Sequence, residues 1–245
     1  MDTLVRIERD GDVAIIVLDR PEARNAMNAA LAGQTVAAIE TCQDAGAIII
    51  TGADPAFCAG LDLRDLGVDT LADLPPFNAT AAASSVPLVA AVNGPAVTGG
   101  FELALACDFI VAAESAQFAA PEIRLGIIPG FGGTQRLPRL LGASRALEMN
   151  LVGDPILADE AFELGLANRL VEDHELLDTA LHWARKLAGQ APLAVSEIKR
   201  VSAAADLDEG IAAEKDAFVR AFTSADAREG IGAFLGKRSP QWKGA

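Results

Sequence analysis

Two glutamates stand in apolar company. Glu102 lies in Gly-Gly-Phe-Glu-Leu-Ala-Leu-Ala, as the only acid at the start of an apolar helix, and Glu122 lies in Ala-Ala-Pro-Glu-Ile-Arg-Leu-Gly, between apolar runs. Charged side chains are seldom buried without a partner. A structural reading gives Glu102 the favourable field of a helix N-terminus, and gives Glu122 a cap-like role or a pair with Arg124. A chemical reading sets both around one water, with surroundings that split their pKa values into a base and an acid. Two glycine-rich turns could serve the same chemistry: Phe57-Cys-Ala-Gly-Leu-Asp-Leu63 and Val97-Thr-Gly-Gly-Phe-Glu102. A glycine turn at a helix start leaves backbone N–H groups unpaired, and one from each turn would make an oxyanion hole. The alternative is that glycine only permits close packing. Neither stretch has the GxxxxGK[ST] pattern of a phosphate-binding loop.

These residues need a frame to hold them. Leu4–Arg9 and Val13–Asp19 read as strands around the turn Asp10-Gly11-Asp12. Asn28 is placed to cap a helix over Ala29–Cys42, with Leu31, Thr35, Ala38 and Ile39 on one face. Gly46–Thr51 and Leu88–Val92 are apolar without a polar face, as in buried parallel strands. Gly99–Cys107 reads as a helix and Asp108–Ala113 as a strand. Strand, glycine turn and helix recur, which predicts an α/β fold with parallel crossovers. From Gly133 onward the pattern turns helical: Ser144–Val152, Ala158–Leu164, Glu175–Gly189, Pro192–Ala205, Asp208–Phe222 and Ala225–Leu235, with an extended piece at Asn168–Val171. Ser224 is a candidate N-cap for the last helix and Gly236 its C′ stop.

Composition narrows the classes. The net charge is −14 over 245 residues, which argues against nucleic acid or an anionic membrane as partner. No apolar run approaches the roughly 20 residues of a membrane span. The start, Met1-Asp2-Thr3, lacks the basic and apolar regions of a signal peptide. Three cysteines (Cys42, Cys58 and Cys107) at unrelated spacings predict reduced thiols and a cytoplasmic protein. His174 and His182, the only histidines, lie in a polar stretch and read as surface residues, and no cluster suggests a metal.

The order and spacing of several stretches go further. Arg20–Asn28 (RPEARNAMN), Phe57–Arg64 (FCAGLDLR), Ala91–Glu102 (AVNGPAVTGGFE) and Ala116–Leu137 together resemble the crotonase superfamily, and within it the enoyl-CoA hydratases, over nearly the whole chain. The resemblance implies a spiral of ββα units over 1–190 and a helical region over 191–245 that builds trimers, usually paired into hexamers. It implies an acyl-CoA thioester as ligand, with no separate cofactor and no metal. By motif position the oxyanion hole falls on the N–H groups of Leu61 and Gly99, and the catalytic pair on Glu102 and Glu122. The Gly130 N–H falls where it helps hold the reacting water. Substrate and coenzyme A contacts fall on Arg24, Ala26, Ala59, Asp62, Leu63 and Arg64. Trp242 and Lys243 match a pair that reaches a neighbouring subunit's coenzyme A. Since the ligand is a polyanion, Arg20, Arg24, Arg64 and the basic stretch Lys237–Ala245 are expected to offset the acidic body. An isomerase of this fold can work with one carboxylate, usually at the Glu122 position, and silent relatives generally lack one of the two. Thr98, Phe101 and Ala120 depart from the usual pattern, and Asp65–Val86, which lines the acyl pocket in relatives, is shorter than usual.

Overall fold

The computed structural model describes residues 2–65, 73–204 and 206–245. The N-terminal hairpin forms as its turn predicts: β1 (Val5–Asp10) pairs antiparallel with β2 (Val13–Leu18), and Gly11 takes φ +57°. Next come α1 (Ala29–Thr41), β3 (Ala47–Gly52), α2 (Phe77–Ala83), β4 (Leu88–Val92), β5 (Pro95–Val97), α3 (Gly99–Ala106), β6 (Phe109–Ala113) and β7 (Gln117–Ala119). The second half holds α4 (Gly133–Leu141), α5 (Ala143–Val152), β8 (Ile156–Leu157), α6 (Ala158–Glu163), β9 (Arg169–Val171), α7 (Leu176–Ala188), α8 (Pro192–Ser202), α9 (Leu207–Thr223) and α10 (Ala225–Leu235).

The main sheet runs β1-β2-β3-β4-β6-β9, parallel from β2 onward. Its inner strands β2, β3, β4 and β6 are nearly all apolar because both faces are covered, with alternate residues pointing to opposite sides, whereas the edge strand β1 carries charged, exposed residues. Ile16, Ile48, Ile50, Ala90, Val92 and Ala112 enter one core with Leu31 and Ile39 of α1. Val13, Ile15, Val17, Ala47, Ile49, Val89, Ala91 and Val111 enter the other, closed by Leu176, Ala180, Leu181 and Ala184 of α7. A second sheet, β5-β7-β8, takes the strands that follow β4 and β6, so β4–β5–α3 is a strand–strand–helix unit. The α/β architecture with a helical C-terminal part is therefore present.

Several details depart from expectation. The sequence did not announce the second sheet, because strands of two or three residues are too short to show alternation. Helix α2 hides in the alanine-rich patch after Pro75-Pro76. Of Asp65–Val86, residues 66–72 lie outside the described residues, as does Ala205 in the helix expected over Pro192–Ala205. Helix α4 was obscured by Pro138, which it carries internally. Asn28 does cap α1, its Oδ1 accepting from the Leu31 N–H at 2.9 Å, and Ser224 Oγ accepts from the Ala227 N–H at 2.9 Å. Gly236 is not the left-handed stop. It keeps φ −79°, and Lys237 takes φ +51° instead. The N–H groups of Lys237 and Arg238 then close back on Phe234 and Ala233, the bonding of a Schellman end.

Candidate active site

The two glycine turns meet. Met27 and Leu61 form an isolated parallel bridge: the Met27 N–H donates to the Gly60 carbonyl at 2.6 Å and the Asp62 N–H donates to the Met27 carbonyl at 2.9 Å. That pattern uses the groups on either side of Leu61 and leaves its own N–H facing away from Met27. Gly99 opens α3, where a helix has no internal acceptor for the first N–H groups. A Cβ built on Gly99 would lie 3.7 Å from Leu61 Cδ2 and 3.7 Å from Phe131 Cδ2, so the start of α3, the Leu61 side chain and the Phe131 ring are neighbours. Glycine is required at Gly100, where a Cβ would lie 2.3 Å from the Cys58 carbonyl oxygen.

Thr98 is the strained member of this turn. Its φ of +49° and ψ of −125° belong to a turn position dominated by glycine, and β-branched residues rarely adopt them. Such a residue costs about 1–3 kcal/mol, partly offset by glycine's larger loss of chain entropy. Thr98→Gly is therefore expected to raise stability by about 1 kcal/mol, read as a higher denaturation midpoint at unchanged slope.

Both glutamates are buried, Glu102 to 2% and Glu122 to 4% exposure. Glu102 sits in the first turn of α3, and its Oε1 accepts from the N–H groups of Phe131 and Gly133, each at 2.7 Å. Burial raises its pKa; the N–H groups of Gly133, Phe131 and Gly130 and the charge of Arg136 work in the opposite direction. Glu122 lies in a 3-10 turn, Pro121–Leu125. Burial lifts its pKa to about 7, and the charge of Glu102 adds to the rise. Arg124 does not neutralise it, because that guanidinium pairs with Asp154. Oε2 of each glutamate has no protein partner among the described residues. Burial thus raises both carboxyls, but backbone donors and Arg136 work against the rise at Glu102, while at Glu122 the rise reaches about 7. That is the split required of a base and an acid.

The whole-chain comparison decides the family. A family model described as enoyl-CoA hydratase/isomerase matches residues 8–245. The chain belongs to that family. It is 42% identical to a 2,3-dehydroadipyl-CoA hydratase of Escherichia coli, over 97% of this chain and 98% of that one. It is 41% identical to a probable mitochondrial enoyl-CoA hydratase of Dictyostelium discoideum, over 96% and 89%. The crystal structure of an enoyl-CoA hydratase from Bacillus anthracis superimposes with a TM-score of 0.95 at 36% identity, covering 99% of this chain and 100% of that one.

Other residues expected from the family motifs fall in three places. Arg24, Leu63 and Arg64 are exposed, with Ala26, Ala59 and Asp62 half-buried beside them. The Ala59 N–H donates to the Arg24 carbonyl at 3.0 Å, which joins the two stretches. Neither Arg24 nor Arg64 forms an ion pair among the described residues, whereas Arg20 is turned inward onto Asp62 at 2.6 Å. The Gly130 N–H lies on the Glu102 carboxylate side. Trp242 and Lys243 are elsewhere: Trp242 Nε1 donates to the Gly189 carbonyl at 2.8 Å, and the Lys243 N–H donates to Asp226 Oδ1 at 2.7 Å. Of the basic groups in the tail, Arg238 is already bound to Glu229. His174 and His182 line an open cleft of about 650 Å³ with Arg169 and Trp183, as surface residues should. The donors to Glu102 at Phe131 and Gly133 were missed as site residues. Their one sequence signal is the run Pro129-Gly-Phe-Gly-Gly133.

Proposed function

We propose that the chain is an enoyl-CoA hydratase, adding water reversibly and syn to a trans-2-enoyl-CoA to give a 3-hydroxyacyl-CoA. The observation that carries this reading is the pair of buried carboxylates, Glu102 gripped by the Phe131 and Gly133 N–H groups and Glu122 lifted to about 7. The N–H groups of Leu61 and Gly99 would polarise the thioester carbonyl and make C3 electrophilic. A donor in such a place contributes about 3–4 kcal/mol to the transition state. Glu102, ionised, takes a proton from the water as its oxygen bonds to C3. Glu122, neutral, gives its proton to C2. The Gly130 N–H supports the charge on Glu102, and the exposed Arg24 and Arg64 suit the phosphates of coenzyme A. The reading asks for no separate cofactor. An isomerase needs only one carboxylate, and nothing in its chemistry explains the donors gathered on Glu102.

The same reading includes a homotrimer, with or without pairing into a hexamer. It is supported by exposed apolar side chains on two stretches: Ile123, Leu125, Ile127 and Ile128, and on α9 and α10 Phe218, Phe222, Phe234 and Leu235. A cytoplasmic setting is supported by three unpaired cysteines. The test is loss of enoyl-thioester absorbance with crotonyl-CoA and with a longer enoyl-CoA. Turnover of either is expected; retained thioester binding with no turnover of both overturns the proposal.

A further inference from the structure

Arg20 follows β2 and is the last residue before a 3-10 turn, Pro21–Ala23. A basic residue beside a coenzyme A site would ordinarily be read as a phosphate ligand. Its side chain is only 15% exposed and turned onto acidic and carbonyl oxygens, with Nε 3.8 Å from the exposed Glu22. NH1 donates to the Ala26 carbonyl at 2.9 Å and to Asp62 Oδ2 at 2.6 Å, and NH2 lies 3.5 Å from Asp65. The Asp62 side chain is 11% exposed, and its Oδ1 also accepts from the Arg64 N–H. The Arg20 backbone is tied too: its N–H donates to Asn25 Oδ1 at 2.9 Å, and Asn25 Nδ2 donates to the carbonyls of Ala53 and Ala56.

Arg20 therefore joins the 24–27 stretch to the 60–62 stretch, alongside the Met27–Leu61 bridge. The consequence is geometric. A trans peptide is planar, so the Gly60 carbonyl and the Leu61 N–H point in opposite directions. Holding that carbonyl on the Met27 N–H at 2.6 Å points the Leu61 N–H away from Met27, while Gly60 and the Leu61 side chain pack beside the Thr98–Gly99 turn. Arg20 grips the residue before Met27 and the residue after Leu61. A small rotation of either stretch would turn the donor away.

We infer that Arg20, through Asp62, is a positioning residue that orients the Leu61 N–H, and not a ligand of the coenzyme A phosphates. The inference rests on the hydratase reading of the same site. The probe is 3-phenylacryloyl-CoA, whose extended conjugation shifts its absorption to longer wavelength when the carbonyl is polarised. Wild-type protein is expected to shift the bound band to the red. Arg20→Ala and Asp62→Asn should each lose most of that shift at saturating protein. Each should lower kcat for crotonyl-CoA by about 10- to 100-fold, less than deletion of a donor itself. Affinity for free coenzyme A should stay within about threefold. Arg20→Lys, which keeps the charge but not the fork, should recover part of both signals. Asp62→Asn is nearly isosteric and serves if Arg20→Ala fails to fold.

Variants that keep the red shift and kcat overturn the inference. So does a tenfold loss of free coenzyme A affinity with the shift intact, which would make Arg20 a phosphate ligand after all. A wild-type protein that binds the probe with no shift removes the oxyanion reading itself, and that outcome is distinct because it appears before any substitution is made.

Discussion

Replacing Glu122 by Gln is expected to lower kcat for enoyl-CoA hydration by about 10²–10⁴-fold, the usual range for loss of a positioned proton donor. Glutamine fills the same space but cannot give up a proton at neutral pH. Binding of the thioester should persist, because neither proposed oxyanion donor belongs to this turn. The variant should also unfold less easily than the wild type at pH 8. The sign follows from linkage. Glu122 titrates near 7 in the folded protein against an ordinary 4.5. Between those values the folded state holds more protons than the unfolded one, so wild-type stability falls as pH rises from about 4.5 through 7. Glutamine carries no such dependence and should gain about 1–3 kcal/mol over the wild type at pH 8, with the two converging near pH 4. Melting temperatures at the two pH values, beside kcat, check both halves. Wild-type turnover in the variant would make this carboxylate structural.

Glu102→Gln should cost as much in kcat by another route. The carboxamide oxygen keeps the bonds from Phe131 and Gly133, so the fold around it should hold. What disappears is the negative charge that accepts the proton of water. Wild-type kcat/KM is expected to fall on the acid side as Glu102 protonates, and on the alkaline side near pH 7 as Glu122 ionises. Because the two charges interact, these limbs report the pair. Glu102→Gln should abolish the acid limb. It should also shift the alkaline limb to lower pH, because the neighbouring charge that helps disfavour ionisation of Glu122 is gone and the Glu122 pKa moves down. The double substitution should be scarcely slower than either single one, since a base without its acid completes no turnover. An unchanged acid limb in Glu102→Gln would remove Glu102 as the base.

Much of the frame was legible in the residues. The unbroken apolar runs of β2, β3 and β4 announced strands covered on both faces, and Asp10-Gly11-Asp12 announced the first hairpin. Asn28 marked where α1 begins. The two glutamates stood out because a carboxylate in an apolar run needs an explanation, and the glycine turns because helix starts leave N–H groups free. What stayed hidden has a common cause. The donors to Glu102 are backbone groups, and a backbone N–H carries no side-chain signature. Arg20 and Asp62 were visible as charges, but nothing in a sequence separated by 42 positions says that they face one another. The left-handed Lys237 replaced the expected glycine because a helix end obeys the carbonyls it must satisfy before it obeys preference.

Glu122 and the groups that hold Glu102 belong to one connection. It leaves β7, passes Glu122 in the turn Pro121–Leu125, and arrives at Phe131 and Gly133 as α4 begins. Between them stand Ile127 and Ile128, exposed to 48% and 71%. Glu122 and the grip on Glu102 are therefore the two ends of one short connection, with an apolar, exposed middle. Any surface that covers Ile127 and Ile128 would rest on the same short connection that carries both carboxylate environments.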